Sequence, residues 1–567
     1  MKASLVRRGL GGRGTLEIHR LGPHPLIEHF LQRLDLLRIL DKHIHSNRTG
    51  TVSHGKAICV LIHNILVSRD PLYRLSEWIR EIDPKALGLT EEERDAINDD
   101  RIARALDQLE DLGGRAVFFQ LALRSIKLFR LETKRIHFDT TTVSFTGEYR
   151  SSKIGPRIQR GYSKKGRPDL KQLVFGLNVT SDNAVPISHG VYPGNQAEDK
   201  IHKGNLEALR ELLLKDDFIY VADSKLCTKQ NLKYIDEFGG KFVTLLPGTR
   251  KEEVSFREKL RQGAFRWRPI LTVASTKKPG QIETYKTTSG GPKRTEDGFR
   301  LVWLRSSLKA EKDKEKRLQR LQRPEAALKE LGSRLGRGNL RTRRQIKSQI
   351  NKILKEKGCE HFLRVELIPR VVTVYKRERV GRPKSGDPKR RVSRTEYELK
   401  VSRDSVRLRK ELKTDGIFAL VTNLPGKIST REILQMYRFQ PHLERRFENL
   451  KTEYSVAPVY LKNPKRVVGF LHACFLSLMV AALIERELRN RMEQEDIESI
   501  PIYPEERECR APTSPRIFEL FNNVDWFRHV GRNEEIVYPV RLLPIQEQVL
   551  KLLGVPKTVY TTQHDAN

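Results

Sequence analysis

Between Arg135 and Pro247 the hydrophobic period of the chain shortens, and this stretch restricts the possible folds more than any other. Short β-branched and aromatic runs cover 135–145, 171–180 and 184–192. A helical pattern follows near 198–214, then a strand at 218–223, a helix at 228–238 and a strand over Lys241-Phe-Val-Thr-Leu-Leu-Pro247. Alternating apolar positions specify half-buried strands, whereas apolar positions three or four apart specify helices. Three strands, then helix, strand, helix, strand, is an α/β order. Two of the runs end in aspartate, Arg135-Ile-His-Phe-Asp139-Thr and Phe218-Ile-Tyr-Val-Ala-Asp223-Ser, which predicts both carboxylates at strand C-terminal ends.

That order is the one found in a ribonuclease-H-like (retroviral-integrase-like) catalytic core, which also needs an acidic residue on a later helix. Residues 248–412 read instead as a large mixed β/α insertion. It has strand-like pieces at 269–274, 299–304, 363–375 and 395–402 and a charged helical section near 305–357, broken around Gly332-Ser-Arg-Leu-Gly-Arg-Gly338 into a helical pair. Lys376 to Arg394 holds nine basic and two acidic residues around Gly381-Arg-Pro and reads as a flexible basic loop. The core resumes at Asp415-Gly-Ile-Phe-Ala-Leu-Val-Thr-Asn423. The domain reading is therefore a helical N-terminal domain over 1–130 that binds DNA ends, a core in two parts over 131–247 and 413–495, the insertion between them, and a tail over 496–567 with short helices.

The missing acid is Glu444, in Tyr437-Arg-Phe-Gln-Pro-His-Leu-Glu444-Arg-Arg-Phe-Glu-Asn-Leu-Lys451. At about 100° per residue, Tyr437, Gln440, Glu444 and Lys451 share a stripe roughly 60° wide. Met436, Phe439, Leu443, Phe447 and Leu450 form the adjoining apolar stripe. Pro441 removes the backbone bond to Tyr437 and bends this helix, and Glu448, one turn after Glu444, is a rival ligand. Asp139, Asp223 and Glu444 together supply hard oxygen donors suited to two Mg²⁺ ions, or Mn²⁺ in their place. Such a pair activates an attacking oxygen and stabilises a leaving one. His137, on the same strand face as Asp139, is either a neighbour of the metals or a packed core histidine. Lys164, Lys165 and Arg167 are candidate DNA contacts.

Charge narrows the partner. Lys and Arg number 107 against 71 Asp and Glu, a formal net charge of +36, which suits a polyanion because each neutralised phosphate releases counterions. Five scattered cysteines without a Cys-x-x-Cys pair argue against a disulfide framework or zinc ribbon and fit a reducing, cytoplasmic setting. No export signal is read at the N-terminus. Val467 to Ile484 is uncharged over 18 residues, near the lower limit for a membrane span, but a helix buried in a large domain has the same composition and is the reading taken.

The sequence resembles bacterial insertion-sequence transposases of the DDE class, in the group with a Tyr-x2-Arg-x3-Glu-x6-Lys signature. The matching residues are Tyr437-x2-Gln440-x3-Glu444-x6-Lys451, with Gly161-Tyr-Ser-Lys-Lys-Gly-Arg-Pro-Asp-Leu-Lys-Gln-Leu-Val-Phe-Gly176, Tyr192-Pro-Gly-Asn195 and Leu461-Lys-Asn-Pro-Lys-Arg466. The resemblance implies that Asp139, Asp223 and Glu444 bind the metals, with Glu444 preferred to Glu448. It also implies that Tyr437 and Lys451 touch phosphates of the element's ends, and that an insertion lies between the second Asp and the Glu. Gln440 stands where the signature has arginine, so that phosphate contact is in question. Trp267 and Trp303 are candidates for stacking beside a flipped base, or core residues. The function so implied is a transposase that binds terminal inverted repeats as a homodimer on double-stranded DNA, cleaves phosphodiesters and joins 3′-OH ends to target DNA. The alternatives are a catalytically silent DNA-binding protein derived from one, or a metal-dependent DNA nuclease without strand transfer.

Overall fold

The computed structural model describes residues 8–9, 15–44, 51–111, 115–149, 155–162, 166–274, 280–338, 340–356, 359–377, 389–453, 461–531 and 535–561. They divide into two compact units, 1–244 with 435–567, and 245–434. The protein is mixed α/β.

The first unit contains β1 (Arg135–Phe145), β2 (Lys171–Thr180), β3 (Pro186–Pro193), α1 (Ile201–Leu213), β4 (Ile219–Ala222), α2 (Lys229–Glu237) and β5 (Lys241–Leu245). Their order across the sheet is β3-β2-β1-β4-β5. The first three strands are antiparallel, while β4 runs parallel to β1 and β5 parallel to β4. Parallel neighbours need a crossover connection, and α1 and α2 provide them. Asp139 does not end its strand. The Thr140-Thr-Thr run continues the antiparallel ladder with β2 as far as Phe145↔Lys171, because β-branched residues suit a pleated sheet. What stops at this point is the parallel pairing with β4, whose last rung is Phe138↔Ala222.

The segments around Gly161 and Gly194 meet. A Cβ on Gly161 would lie 2.0 Å from the Gly194 carbonyl oxygen, and one on Gly194 2.0 Å from that of Gln172. The Gln172 amide donates to the carbonyls of Gly194 at 2.8 Å and Tyr162 at 3.0 Å. Close backbone packing is what these glycines provide.

Three further helices matter for the site: α3 (Thr430–Tyr437), α4 (Gln440–Glu448) and α5 (Pro464–Gln494). Pro441 sits in the first turn of α4, where its missing N–H costs nothing. The single helix expected across Tyr437 to Glu444 is therefore two. α5 is long and apolar enough to cross a membrane, yet 94% of its apolar window is buried inside the protein. It packs against helices Asp99–Asp111, His54–Leu66 and Pro544–Leu553. The tail adds more than short helices: strand Asp525–Val530 pairs antiparallel with Thr15–Arg20. All five cysteines are buried thiols.

The second unit holds β6 (Arg268–Ala274), β7 (Ile282–Thr288), β8 (Arg300–Ser306), β9 (Leu363–Arg377), β10 (Lys389–Arg403) and β11 (Ile417–Thr422). β6, β7, β8 and β11 are antiparallel neighbours in that order. The segment Asp415–Asn423 forms β11, which pairs with β8 from Arg305↔Ile417 to Arg300↔Thr422. Periodicity identifies a strand without identifying its neighbour. The charged section forms helices Ser307–Ser333 and Arg343–Glu356, which share a small core of Leu321, Leu328, Leu331, Ile346, Ile350 and Leu354. Lys376, Arg377 and Lys389–Arg394, expected in a flexible loop, lie on the paired strands β9 and β10. Gly381-Arg-Pro lies outside the described residues.

Gly469 on α5 faces the Leu106 carbonyl oxygen, which would lie 2.3 Å from an added Cβ. Since a buried backbone cannot move aside cheaply, Gly469→Ala is expected to destabilise the protein by about 1–3 kcal/mol. A thermal unfolding midpoint equal to that of the parent would contradict this close approach.

Candidate functional site

Register places the two aspartates. The last parallel rung is Phe138↔Ala222, so Asp139 and Asp223 each come one residue after it on neighbouring segments of the chain. Residues opposite one another in register project from the same face. His137 shares that face, and its ring lies 4.6 Å from Phe439 in the link between α3 and α4. Phe138 points the other way, toward His202 of α1 at 5.4 Å. The aspartates therefore occupy the side of the sheet on which α4 packs.

Both carboxylates hold local backbone amides. Asp139 accepts from the Thr140 N–H at 2.7 Å and Asp223 from the Lys225 N–H at 2.9 Å. The Thr244 hydroxyl donates to the Asp223 carbonyl oxygen at 2.6 Å. Asp139 and Asp223 are half-buried and Glu444 is exposed on α4. Tyr437, at the end of α3, brings the three into one neighbourhood. Burial pushes its phenol well above the ordinary tyrosine value, and the charges of Asp223, Asp139 and Glu444 push it further. The hydroxyl thus stays protonated as a donor facing three acids. Glu444 is the α4 acid that acts on it, rather than Glu448.

The donor chemistry, all carboxylate oxygen, fits a hard divalent cation. Among the described residues, however, no group of three or more His, Cys, Asp or Glu side chains is gathered tightly enough to hold a metal ion. The trio shares a neighbourhood without forming a closed cage, as expected of like charges that repel one another.

The remaining signature positions lie along β1. Gln440 donates to the Phe138 carbonyl oxygen at 3.4 Å, so it ties the start of α4 to the residue before Asp139. Lys451 hydrogen-bonds the Thr141 hydroxyl, two residues beyond Asp139. Arg167 is exposed and paired with Asp169 at 2.7 Å, while Lys164 and Lys165 lie outside the described residues. His137 is a core residue: burial, with Arg135 nearby, lowers its pKa to about 3. Neither its ring nitrogens nor Gln440 Oε1 has a hydrogen-bond partner among the described residues. In the second unit, Trp303 is buried, with its indole donating to the Pro292 carbonyl oxygen at 2.8 Å, and Trp267 is half-buried.

Sequence reasoning missed what fastens α4. Arg446 is buried among Leu443, Phe447 and Leu450 and pairs with Glu485 of α5 at 2.8 Å. It also donates to the carbonyls of Ala184 and Asn183 at 3.0 and 2.8 Å. Those two residues have φ of +53° and +61°, the left-handed pair of a tight β2–β3 turn. An arginine in the apolar stripe of a helix was the available clue. Glu485 further accepts from the Ser514 N–H at 2.8 Å and lies 3.5 Å from Arg489. Burial alone would raise its carboxyl, but Arg446, Arg489 and the Ser514 amide overcome that and hold it below the usual carboxylate range.

Removing one partner of a buried ion pair leaves the other uncompensated, so Arg446→Ala is expected to cost about 3–5 kcal/mol in denaturant unfolding. The sign with pH follows from Glu485. Its folded pKa is depressed, so its contribution is complete above the unfolded value of 4.5 and is lost as pH falls through the lower folded value. Arg446→Ala should move that loss to higher pH, and an unchanged acid limb would refute the pairing.

Residues 16–123 match a family model described as a domain of unknown function, DUF4277. No curated protein matches the sequence. Among solved structures the chain is similar to a piggyBac transposase synaptic complex with hairpin DNA, at 10% identity and a TM-score of 0.26, over 52% of this chain and 63% of that one. It is also similar to a Mos1 transposase paired-end complex with left transposon end, at 10% identity and a TM-score of 0.15, over 35% of this chain and 60% of that one. A Mos1 mariner paired end complex with Mn matches at 11% identity and a TM-score of 0.14, over 39% and 66%. The chain spans less than two thirds of each of these, and the likeness is weak.

Proposed function

We propose that the protein is a DNA transposase with a ribonuclease-H-like core. In this reading it binds the terminal inverted repeats of its element as a homodimer in the cytoplasm, cleaves phosphodiesters and joins the freed 3′-OH ends to target DNA. The observation that carries the reading is that Asp139 and Asp223 each follow the last parallel rung, Phe138↔Ala222, and that both act with Glu444 on the same tyrosine. The strand order β3-β2-β1-β4-β5 and the net charge of +36 support it.

Asp139, Asp223 and Glu444 would hold two Mg²⁺ or Mn²⁺ ions, drawn together as cations offset their mutual repulsion. Metal bound there supplies activation of the attacking oxygen and charge stabilisation of the leaving one. The strands fix the two aspartates, and exposed Glu444 closes from α4. Tyr437 offers a protonated hydroxyl to a phosphate oxygen, and Lys451, beside Thr141, offers a cation on the same edge. Gln440 positions α4 against β1 instead of contacting phosphate.

The test uses purified protein, Mg²⁺ and duplexes carrying the DNA that flanks the coding segment. Cleavage at the ends is expected, and Asp139→Ala and Glu444→Gln should abolish it while duplex binding persists. Undiminished cutting by Asp139→Ala would falsify the site. Pre-cut ends offered with a target plasmid should yield joined products. Cutting without joining marks a nuclease, and protection of ends without cutting marks a silent DNA-binding protein.

A further inference from the structure

The β9–β10 ribbon divides into two chemically different halves. It is fifteen rungs long, from Leu363↔Arg403 to Arg377↔Lys389, or about 50 Å at ~3.3 Å per residue. Near its base one face is apolar: Val365, Leu367, Tyr397, Leu399 and Val401 pack on the core of the charged helical pair. Charges there are balanced, with Arg370 paired to Glu398, Arg364 to Asp404 and Arg403 to Glu325.

Beyond Leu367 that packing stops. Val371 is 76% exposed and Tyr375 64% exposed on the continuation of the same face. The five rungs from Val372↔Arg394 to Lys376↔Arg390 hold four cations, Lys376, Arg390, Arg391 and Arg394, and no acid; of these Arg394, nearest the base, pairs with Glu396. Exposed Lys389 follows. Lys376 lies directly opposite Arg390, and like charges across a ladder destabilise it. Charged edges do protect a lone ribbon from pairing with other strands, but mixed signs, as at the base, achieve that without self-repulsion. A one-signed end with an exposed tyrosine and valine instead complements a polyanion that also presents an apolar surface.

We infer that the outer half of this ribbon is a DNA-binding arm that enters the major groove of duplex DNA, separate from the carboxylate site. The inference rests on the proposed action on DNA and extends it to the second unit. A major groove about 12 Å wide admits a two-stranded ribbon, whereas the deep, narrow major groove of duplex RNA does not. Lys376, Lys389, Arg390 and Arg391 would neutralise phosphates along the groove, with Tyr375 and Val371 toward the bases.

The experiment measures binding of the full chain to duplex DNA by fluorescence anisotropy across a salt series. Each phosphate contact contributes about 0.9 to the slope of log K against log salt. The quadruple variant K376Q, K389Q, R390Q, R391Q should lower affinity and flatten that slope by about 3–4, with an unchanged melting temperature. Val371→Lys, which adds a cation to the exposed face, should steepen it by about 1. Duplex RNA of equal length should compete poorly. Unchanged slopes in both variants would overturn the assignment, and equal competition by RNA would overturn groove entry. A flattened slope in a protein whose parent never cuts DNA would retire the transposase and keep the arm. Cutting at the ends with an unchanged slope would do the reverse.

Discussion

Two carboxylates one rung past the end of a parallel strand pair repel each other, and much of the first unit serves to keep them adjacent. β1 resists this repulsion by being paired on both sides, to β2 and β4. Asp223 is held through its own carbonyl by Thr244 and through its carboxylate by the Lys225 amide. A surface loop could not keep two such groups together, whereas a central strand with a crossover helix beneath it can.

The third acid arrives by a different route, and its support is electrostatic instead of ladder-based. Exposed Glu444 depends for its position on Arg446, two residues later, which is bonded to the β2–β3 turn and to buried Glu485 of α5. A buried ion pair contributes little net stability compared with apolar packing, but it tolerates only one arrangement. The α4 register is thus set by a pair that cannot slide.

The strand order from Arg135 to Leu245 was legible because alternating and helical periods are local properties. Pairing partners are not local: the apolar character of β11 marks it as a strand, and only the register shows β8 beside it. The extent of β1 was misjudged because an aspartate followed by threonines resembles a strand end, although the threonines carry on the ladder. Lys376–Arg394 looked like a loop because charge was read as solvation, and only the register of β9 with β10 separates a ribbon from a coil. For the site, strand ends and helical spacing single out Asp139, Asp223, Glu444 and Tyr437 as the proposed residues. Arg446 was passed over as one more cation in a chain with 107 of them, since its worth lies in being buried.

The sequence distance between the acids has a consequence for synthesis. Both aspartates leave the ribosome before residue 245, but Glu444 follows only after the whole second unit, residues 245–434, has been made. Domains generally fold in the order they emerge, so a nascent chain holds β1 and β4 long before α4 exists to cover them. Any product truncated within the second unit would carry two of the three oxygen-donor side chains and lack the last. Premature termination there therefore releases a polypeptide incapable of assembling the trio.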